Sequence, residues 1–396
     1  MSTENVLRTQ VGIVGAGPAG LLLARMLQQH GIESVILERR SRSYVLSRVR
    51  AGVLEQGTVD TLIEYGVGER LKKEGLPHED MQLRWSGRRH AIPLVDEDGR
   101  TMTTYGQAKI VEDLMLLREA DGLPIHFEAE VSRFEDVTGQ PVVHFQQGGQ
   151  HKQLVCDYIA GCDGYLGVSR SHIPGSAEKS FLREFPFSWF GILAEALPQP
   201  EIRGFSHTQR GLAVASARSA NITRNYLQVP PSFDIASMSD EQIWDELDLR
   251  MQDGSGNKLN RGPIIEKSVA RLRGFVCETM HYGKLFLAGD AAHIVPPSGA
   301  KGLNLAVGDV RVLLEALVRL IKKNDRSLAD RYSEVTLRRI WPTVQWSCRL
   351  SEVMHFFPGQ SEFDTRLQYA QLEHWIHTPV GQHRFRQSML GLPYQA

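Results

Sequence analysis

The chain reads as an α/β protein: a Rossmann-like nucleotide-binding domain that carries an inserted antiparallel sheet, an α+β insert, and ends in a helical region. Three observations predict this. A β-branched run, a glycine turn and an apolar-periodic helix follow one another between Thr9 and Glu38. Strand-like runs end in an acid beside a glycine twice more, at Cys162-Asp163-Gly164 and at Gly289-Asp290. Between those two, from Phe181 to about Val276, the pattern changes to alternating strands. The expected division is a nucleotide-binding domain over 1–179 completed by 284–306, a substrate-binding sheet domain over 180–283, and a helical region over 307–396.

Residues 10–14 form the first strand and end directly in Gly15-Ala16-Gly17-Pro18-Ala19-Gly20. Gly15 permits a tight turn, Gly17 lets the backbone approach a pyrophosphate without a Cβ, and Gly20 allows helix and strand to pack closely. Residues 21–30 then carry apolar side chains at helical spacing, so the helix N-terminus faces the phosphates. Residues 34–37 form the next strand, and Glu38 stands at its tip, where a carboxylate can take ribose hydroxyls. Arg39, Arg40, Arg42, Arg48 and Arg50 follow within twelve residues. Such a run is either a solvated basic turn or an anion site, and its place at a nucleotide-binding strand favours the anion site.

Residues 52–71 and 108–120 have helical spacing, and residues 81–85 and 102–105 are strand-like. A small sheet is expected over 125–145, with a turn at 138–141, and a further strand over 154–161. In the inserted sheet the clearest strands are 189–194, 211–217 and 225–229, with one helix at 240–252. Ser216, Arg218, Arg224 and Tyr226 come close there, and the two-residue period points Ser216 and Arg218 the same way. That arrangement can hold a carboxylate; the alternative is an exposed arginine ladder. Residues 284–292 return to a strand, and a helix from Gly302 to about 322 presents its N-terminus near Asn304. Residues 327–357 are read as a long helix that Pro342 bends or divides, and 360–396 as a helical tail.

The 45 basic and 46 acidic residues nearly cancel, so no global field recruits nucleic acid or an anionic membrane. Cys156, Cys162, Cys277 and Cys348 lack metal-ligand spacing and read as reduced thiols of a cytoplasmic protein, with no metal expected. Neither a secretion signal nor a membrane span is expected.

Three elements in this order resemble the class A flavoprotein aromatic hydroxylases: GAGPAG with Glu38, CDG at 162–164, and LFLAGDAAHIVPPSGAKGLNLA at 285–306. The similarity is greatest to the 4-hydroxybenzoate 3-monooxygenase branch, through RVRAGVLEQG at 48–57, His78, YGQ at 105–107, RSA with Arg218, and the terminal GLPY. The resemblance covers nearly the whole chain. It implies that Gly15, Gly17, Gly20, Glu38, Arg50, Gln107, Asp163 and Asp290 hold FAD, with Leu303 and Asn304 at the flavin ring. It assigns Ser216, Arg218 and Tyr226 to the substrate carboxylate and the Pro297 carbonyl to the para substituent. Arg39, Tyr44, Arg48, Arg170 and Arg273 match positions that bind the nicotinamide nucleotide, and Arg39 with Arg40 favours a 2′-phosphate. NADPH is the expected donor and NADH the alternative; O2 and a benzoate are the other small-molecule partners, and a homodimer is expected.

The chain also departs from that branch. Its members have a tyrosine on the substrate phenol and a second tyrosine that passes the proton toward a surface histidine. Those positions read Phe205 and Met389 here, although His78 remains. Ser298 replaces a threonine, Arg203 a pocket leucine and Leu166 a histidine. The reaction class stands while the substrate is open. A phenolic benzoate, 3,4-dihydroxybenzoate or 4-hydroxybenzoate, is the first reading, with Arg203 turning inward to favour a phenolate. 4-Aminobenzoate, which needs no deprotonation, is the alternative. An uncoupled NAD(P)H oxidase is the competing class, and a nicotinamide dehydrogenase is disfavoured because all three nucleotide motifs serve one flavin nucleotide.

Overall fold

The computed structural model describes residues 5–47 and 52–394. Its first sheet is organised around the strand Val6–Val14, which pairs in parallel with Ser34–Leu37 on one side and Gln150–Gly161 on the other. Leu285–Leu287 and Ile125–His126 extend the sheet outward, again in parallel. The register sets Val14 beside both Leu37 and Gly161, and Gly161 beside Leu287. The strands therefore finish level, and the loops that leave them bring Gly15–Gly20, Glu38, Asp163 and Asp290 to one edge. A ligand crevice at the carboxyl ends of parallel strands is the general consequence of this topology. Helix Pro18–Gln29 packs on the sheet and is flanked by helices Gln107–Ala120 and Gly302–Lys323.

The second sheet has eight strands, running from His293–Ile294 through Ile264–Cys277, Ser180–Ala194, Thr223–Val229, Ala213–Ala217 and Gly204–Ser206 to Asp80–Trp85 and Arg88–Pro93. It is antiparallel except where Gly204–Ser206 meets Asp80–Trp85. It thus draws on residues 80–93 as well as on the stretch read from sequence as the insert. Alternation divides its two faces. Phe190, Ile192, Ala213, Ala215 and Leu227 bury against the helix Asp240–Arg250, in a core with Trp244 and Leu247. Trp189, Phe205, Val214 and Tyr226 face the opposite way, into the main core shared with the first sheet. Ser216 and Arg218 have the parity of Val214 and so belong to that inner face.

Several sequence readings are corrected here. Residues 52–71 are not one helix: Val53–Leu54 pairs as a strand, and helices Gln56–Glu64 and Glu69–Glu74 are separated by a turn in which Gly66 has φ +82°. Residues 125–145 do not form a sheet of their own. Ile125–His126 joins the parallel sheet, while Glu130–Glu135 and Val142–Gln147 form a hairpin on Gln150–Gly161. Pro342 does not divide its helix, which runs from Tyr332 to Met354; the break falls at Arg331 instead. The tail is two helices, Glu362–His377 and Pro379–Leu390, each begun by a side-chain cap from Ser361 or Thr378.

Candidate active site

The nucleotide end shows a cradle of the right shape. Gly15 has φ +104°, and a Cβ there would come within 2.4 Å of the Cys162 carbonyl oxygen. A Cβ on Gly20 would lie 2.1 Å from the Gly15 carbonyl oxygen, so helix and turn touch through this glycine. At Gly17, by contrast, nothing lies within 4 Å of the place a Cβ would occupy. The turn is closed behind and open in front. Glu38 is buried, and its carboxylate accepts from the backbone N–H of Ala16 and of Arg40, both at 2.8 Å. It therefore braces the turn from the neighbouring strand. Asp163 Oδ2 accepts from the backbone N–H and hydroxyl of Ser169, whereas Asp163 Oδ1 is buried without a partner. Burial pushes the Asp163 carboxyl up, against the hydrogen bonds from Ser169.

Asp309, deep under the loop that carries Asp290, accepts from Gly289 N–H at 2.8 Å and pairs with His293 Nε2 at 2.6 Å. Burial opposes charge on His293, but Asp309 outweighs it and the imidazole is shifted up. Leu303 and Asn304 open the helix Gly302–Lys323. The Asn304 amide is fully engaged: its oxygen accepts from Glu55 N–H and the Thr58 hydroxyl, and its nitrogen donates to the Val53 and Ala300 carbonyls. What it can still offer a ligand is backbone. Gln107 is the first residue of its helix, behind the N-cap Gly106.

The inner face of the second sheet forms the other half of the site. Tyr226 packs on Trp189, with ring centroids 4.7 Å apart, and Phe205 lies 6.4 Å from the same indole. Gly191, opposite Tyr226 on the next strand, keeps the floor clear, since a Cβ there would meet Arg224 at 3.0 Å and Tyr226 at 3.2 Å. Ser216 donates its hydroxyl to the Arg224 carbonyl at 2.6 Å. Arg224 itself pairs with Glu266 at 3.0 Å and so is already neutralised. Arg218 is not: among the described residues no acid pairs with its guanidinium, and burial followed by the nearby Arg224 shifts its pKa down. Partial burial without a counterion leaves a cation that gains from an incoming carboxylate.

Pro297 starts a short turn, and its carbonyl accepts from Ala300 N–H at 2.9 Å. Ser298 is buried, with its hydroxyl 2.8 Å from that of Ser351 rather than free. Met389 is buried and apolar, and its backbone carbonyl accepts from Lys301 Nζ at 2.6 Å. Arg203 does not turn freely inward: it is ion-paired with Asp80 on the adjoining strand and stays about one-third exposed. Arg84, itself buried, holds the Arg203 and Glu201 carbonyls and so fixes this loop. His78 is hydrogen-bonded to the Thr104 hydroxyl, and its pKa is lowered by burial and then by Arg203.

The FAD binding domain family matches residues 8–347 of the chain. The chain belongs to that family. It is 43% identical to the p-hydroxybenzoate hydroxylase of Acinetobacter baylyi over 98% of its own length and 96% of that protein. It is a flavin-dependent monooxygenase. With the 3-(3-hydroxy-phenyl)propionate/3-hydroxycinnamic acid hydroxylase of Mycobacterium avium the identity is 26% over 76% of the chain, which spans about half (53%) of that longer protein. In fold it resembles the p-nitrophenol 4-monooxygenase of Pseudomonas putida, with a TM-score of 0.80 at 19% identity over 98% of this chain and 100% of that one. The flavin-dependent monooxygenase PieE, solved with FAD and substrate, gives 0.73 at 20% identity over 97% and 71%.

The cradle of this monooxygenase fits FAD on its own evidence, through the open face of Gly17 and the unpartnered buried oxygen of Asp163. Of the arginines at the basic edge, Arg39 and Arg40 are exposed and Arg40 lies over the Tyr44 ring at 5.1 Å. Arg42 is spent on Glu119. Arg48 and Arg50 lie outside the described residues. Arg170 and Arg273 both stack on Tyr165, each at 5.0 Å, some way from the basic edge in sequence but on the Asp163 side. Leu166 beside them is 78% exposed.

Sequence reasoning missed one buried network altogether. Glu55 joins Lys301 at 2.8 Å and also Arg339, while Tyr394 bonds the Thr58 hydroxyl at 2.7 Å and lies under the Arg339 guanidinium at 4.4 Å. Four distant segments meet there. The available signal was a glutamate and a lysine embedded in otherwise apolar, glycine-rich loops.

Proposed function

We propose that this monooxygenase hydroxylates a benzoate that bears an electron-donating para substituent, at the ring carbon beside that substituent, using NAD(P)H and O2. One oxygen atom enters the C–H bond; the other leaves as water with two electrons from NAD(P)H and a proton. The observation that carries the reading is Arg218, a half-buried guanidinium on the aromatic inner face that no acid among the described residues pairs with. Ser216 precedes it by two residues on the same strand face and Tyr226 acts on its charge from the next strand, and both would complete the hold on the carboxylate. Phe205, Trp189 and Met389 supply apolar wall, which orients the ring and keeps water out. Bound FAD supplies the redox chemistry that activates oxygen.

Similarity to a p-hydroxybenzoate hydroxylase at 43% identity supports a phenolic substrate, 4-hydroxybenzoate or 3,4-dihydroxybenzoate. Two observations favour 4-aminobenzoate as a second reading. Phe205 and Met389 have no hydroxyl to take a phenolic proton, and Arg203 is committed to Asp80 instead of facing a phenolate. An arylamine activates the ring without losing a proton. Exposed Arg39 and Arg40 support NADPH over NADH. Cytoplasmic location and a homodimer remain part of this reading; no helix among the described residues is long and apolar enough to cross a membrane. Equilibrium titration of the FAD-loaded protein with the three benzoates tests the site: tight binding of at least one, lost in Arg218→Ala, is expected. Equal affinity in that variant would refute it.

A further inference from the structure

His355 is fully buried at the end of the helix Tyr332–Met354, outside both the nucleotide cradle and the carboxylate group. Its Nε2 lies 2.6 Å from the Trp189 indole nitrogen, and its Nδ1 lies 2.7 Å from the Ser351 carbonyl oxygen. An indole N–H can only donate and a carbonyl can only accept. The imidazole must therefore carry its proton on Nδ1 and accept from Trp189 at Nε2. Phe187 stacks on the ring at 4.2 Å with planes 6° apart, which fixes its rotation. Burial holds the imidazole down at about 3, so this neutral tautomer persists at any working pH.

The same helix turn reaches the opposite wall. The Ser351 hydroxyl donates to the Ser347 carbonyl at 2.9 Å, so it accepts from Ser298 across 2.8 Å. Ser298 belongs to the turn that begins at Pro297. One residue, Ser351, thus ties the Trp189 wall through His355 and the Pro297 turn through Ser298.

We propose that His355 and Ser351 are positioning residues, a clamp that fixes the Trp189 wall and the Pro297–Ser298 turn relative to each other and thereby sets the length of the aromatic pocket. The inference rests on the reading of Ser216, Arg218 and Tyr226 as that pocket. Trp189 touches Tyr226 and Phe205, so a tilt of its indole moves both the anchored and the para end of a bound ring.

The test compares His355→Phe, which keeps the stack but removes the acceptor, with His355→Gln, whose amide oxygen can replace Nε2. FAD-loaded proteins are measured for benzoate dissociation constants, tryptophan emission, and peroxide released per NADPH. His355→Phe should retain its FAD, shift the tryptophan emission, weaken benzoate binding roughly tenfold and divert most electrons to peroxide, and His355→Gln should recover most of each. Adding Trp189→Phe to His355→Phe should change benzoate binding and peroxide yield little further, because both remove one hydrogen bond. If His355→Phe does not fold, Trp189→Phe and Ser351→Ala carry the same expectation. The clamp is overturned if these variants bind and couple as the unaltered protein does while Arg218→Ala loses binding. If Arg218→Ala also binds normally, the pocket reading itself falls.

Discussion

On the proposed reading, recognition of the benzoate carboxylate rests on Arg218. Replacing it with alanine should cost about 2 to 5 kcal/mol of benzoate affinity, the usual loss when one partner of a desolvated charge pair is removed, with FAD content unchanged. Calorimetric titration reads this directly. At the other end, His78 is held below its ordinary range by burial and by Arg203. Arg203→Leu removes that cation and leaves Asp80 unpaired beside it, so the His78 titration followed by NMR should move upward. Residue placement was legible where a period or a motif constrained it. Ser216 and Arg218 share a face because strands alternate, and Glu38 stands where a strand must end. Glu55, Lys301 and His355 carried no such pattern: their partners are hundreds of residues away or on another element, and only tertiary packing brings them together.

The strand–turn–helix unit at the start of the chain makes two glycines experimentally distinguishable. Gly17→Val should fold normally and purify colourless, because its side chain enters open space that the pyrophosphate needs. Gly20→Val should fail to fold stably, since its Cβ would overlap the Gly15 carbonyl. Flavin absorbance together with thermal melting separates the two. This unit was readable from sequence because each of its parts is locally determined. The segment after it was not. Apolar spacing over 52–71 suits one helix, yet the positive φ of Gly66 and the pairing of Val53 with Thr104 break it into a strand and two helices. Of the two alternatives at Pro342, division fails, for the helix from Tyr332 continues through it, packed on strand Ile264–Cys277 and the helix Gly302–Lys323.

Across the molecule, the Glu55–Lys301–Arg339 network ties the loop after the basic edge, the loop before the long helix and the C-terminal turn into one body. Glu55→Gln leaves Lys301 buried without its counter-charge and should lower stability by about 3 to 5 kcal/mol in denaturant unfolding. Acid should destabilise the protein as well. His355 is depressed to about 3 when folded and returns to an ordinary value when unfolded, so the unfolded chain binds the extra proton between those values. The share due to His355 is intact above about pH 6.5 and falls by roughly 1.4 kcal/mol per pH unit below it; His355→Gln should remove that share, while His78, His126, His207 and His281, also depressed by burial, keep theirs. The two-sheet plan was visible in sequence as a change of periodicity, whereas the recruitment of residues 80–93 into the second sheet was not, because a parallel pairing with Gly204–Ser206 leaves no local trace. The central claim, coupled hydroxylation of a para-donor benzoate, is tested most directly by identifying the product formed per NADPH consumed with 4-hydroxybenzoate, 3,4-dihydroxybenzoate and 4-aminobenzoate. The account predicts close to one ring-hydroxylated product, substituted beside the para group, per NADPH for at least one of them; NADPH consumption that ends in peroxide with all three would contradict it.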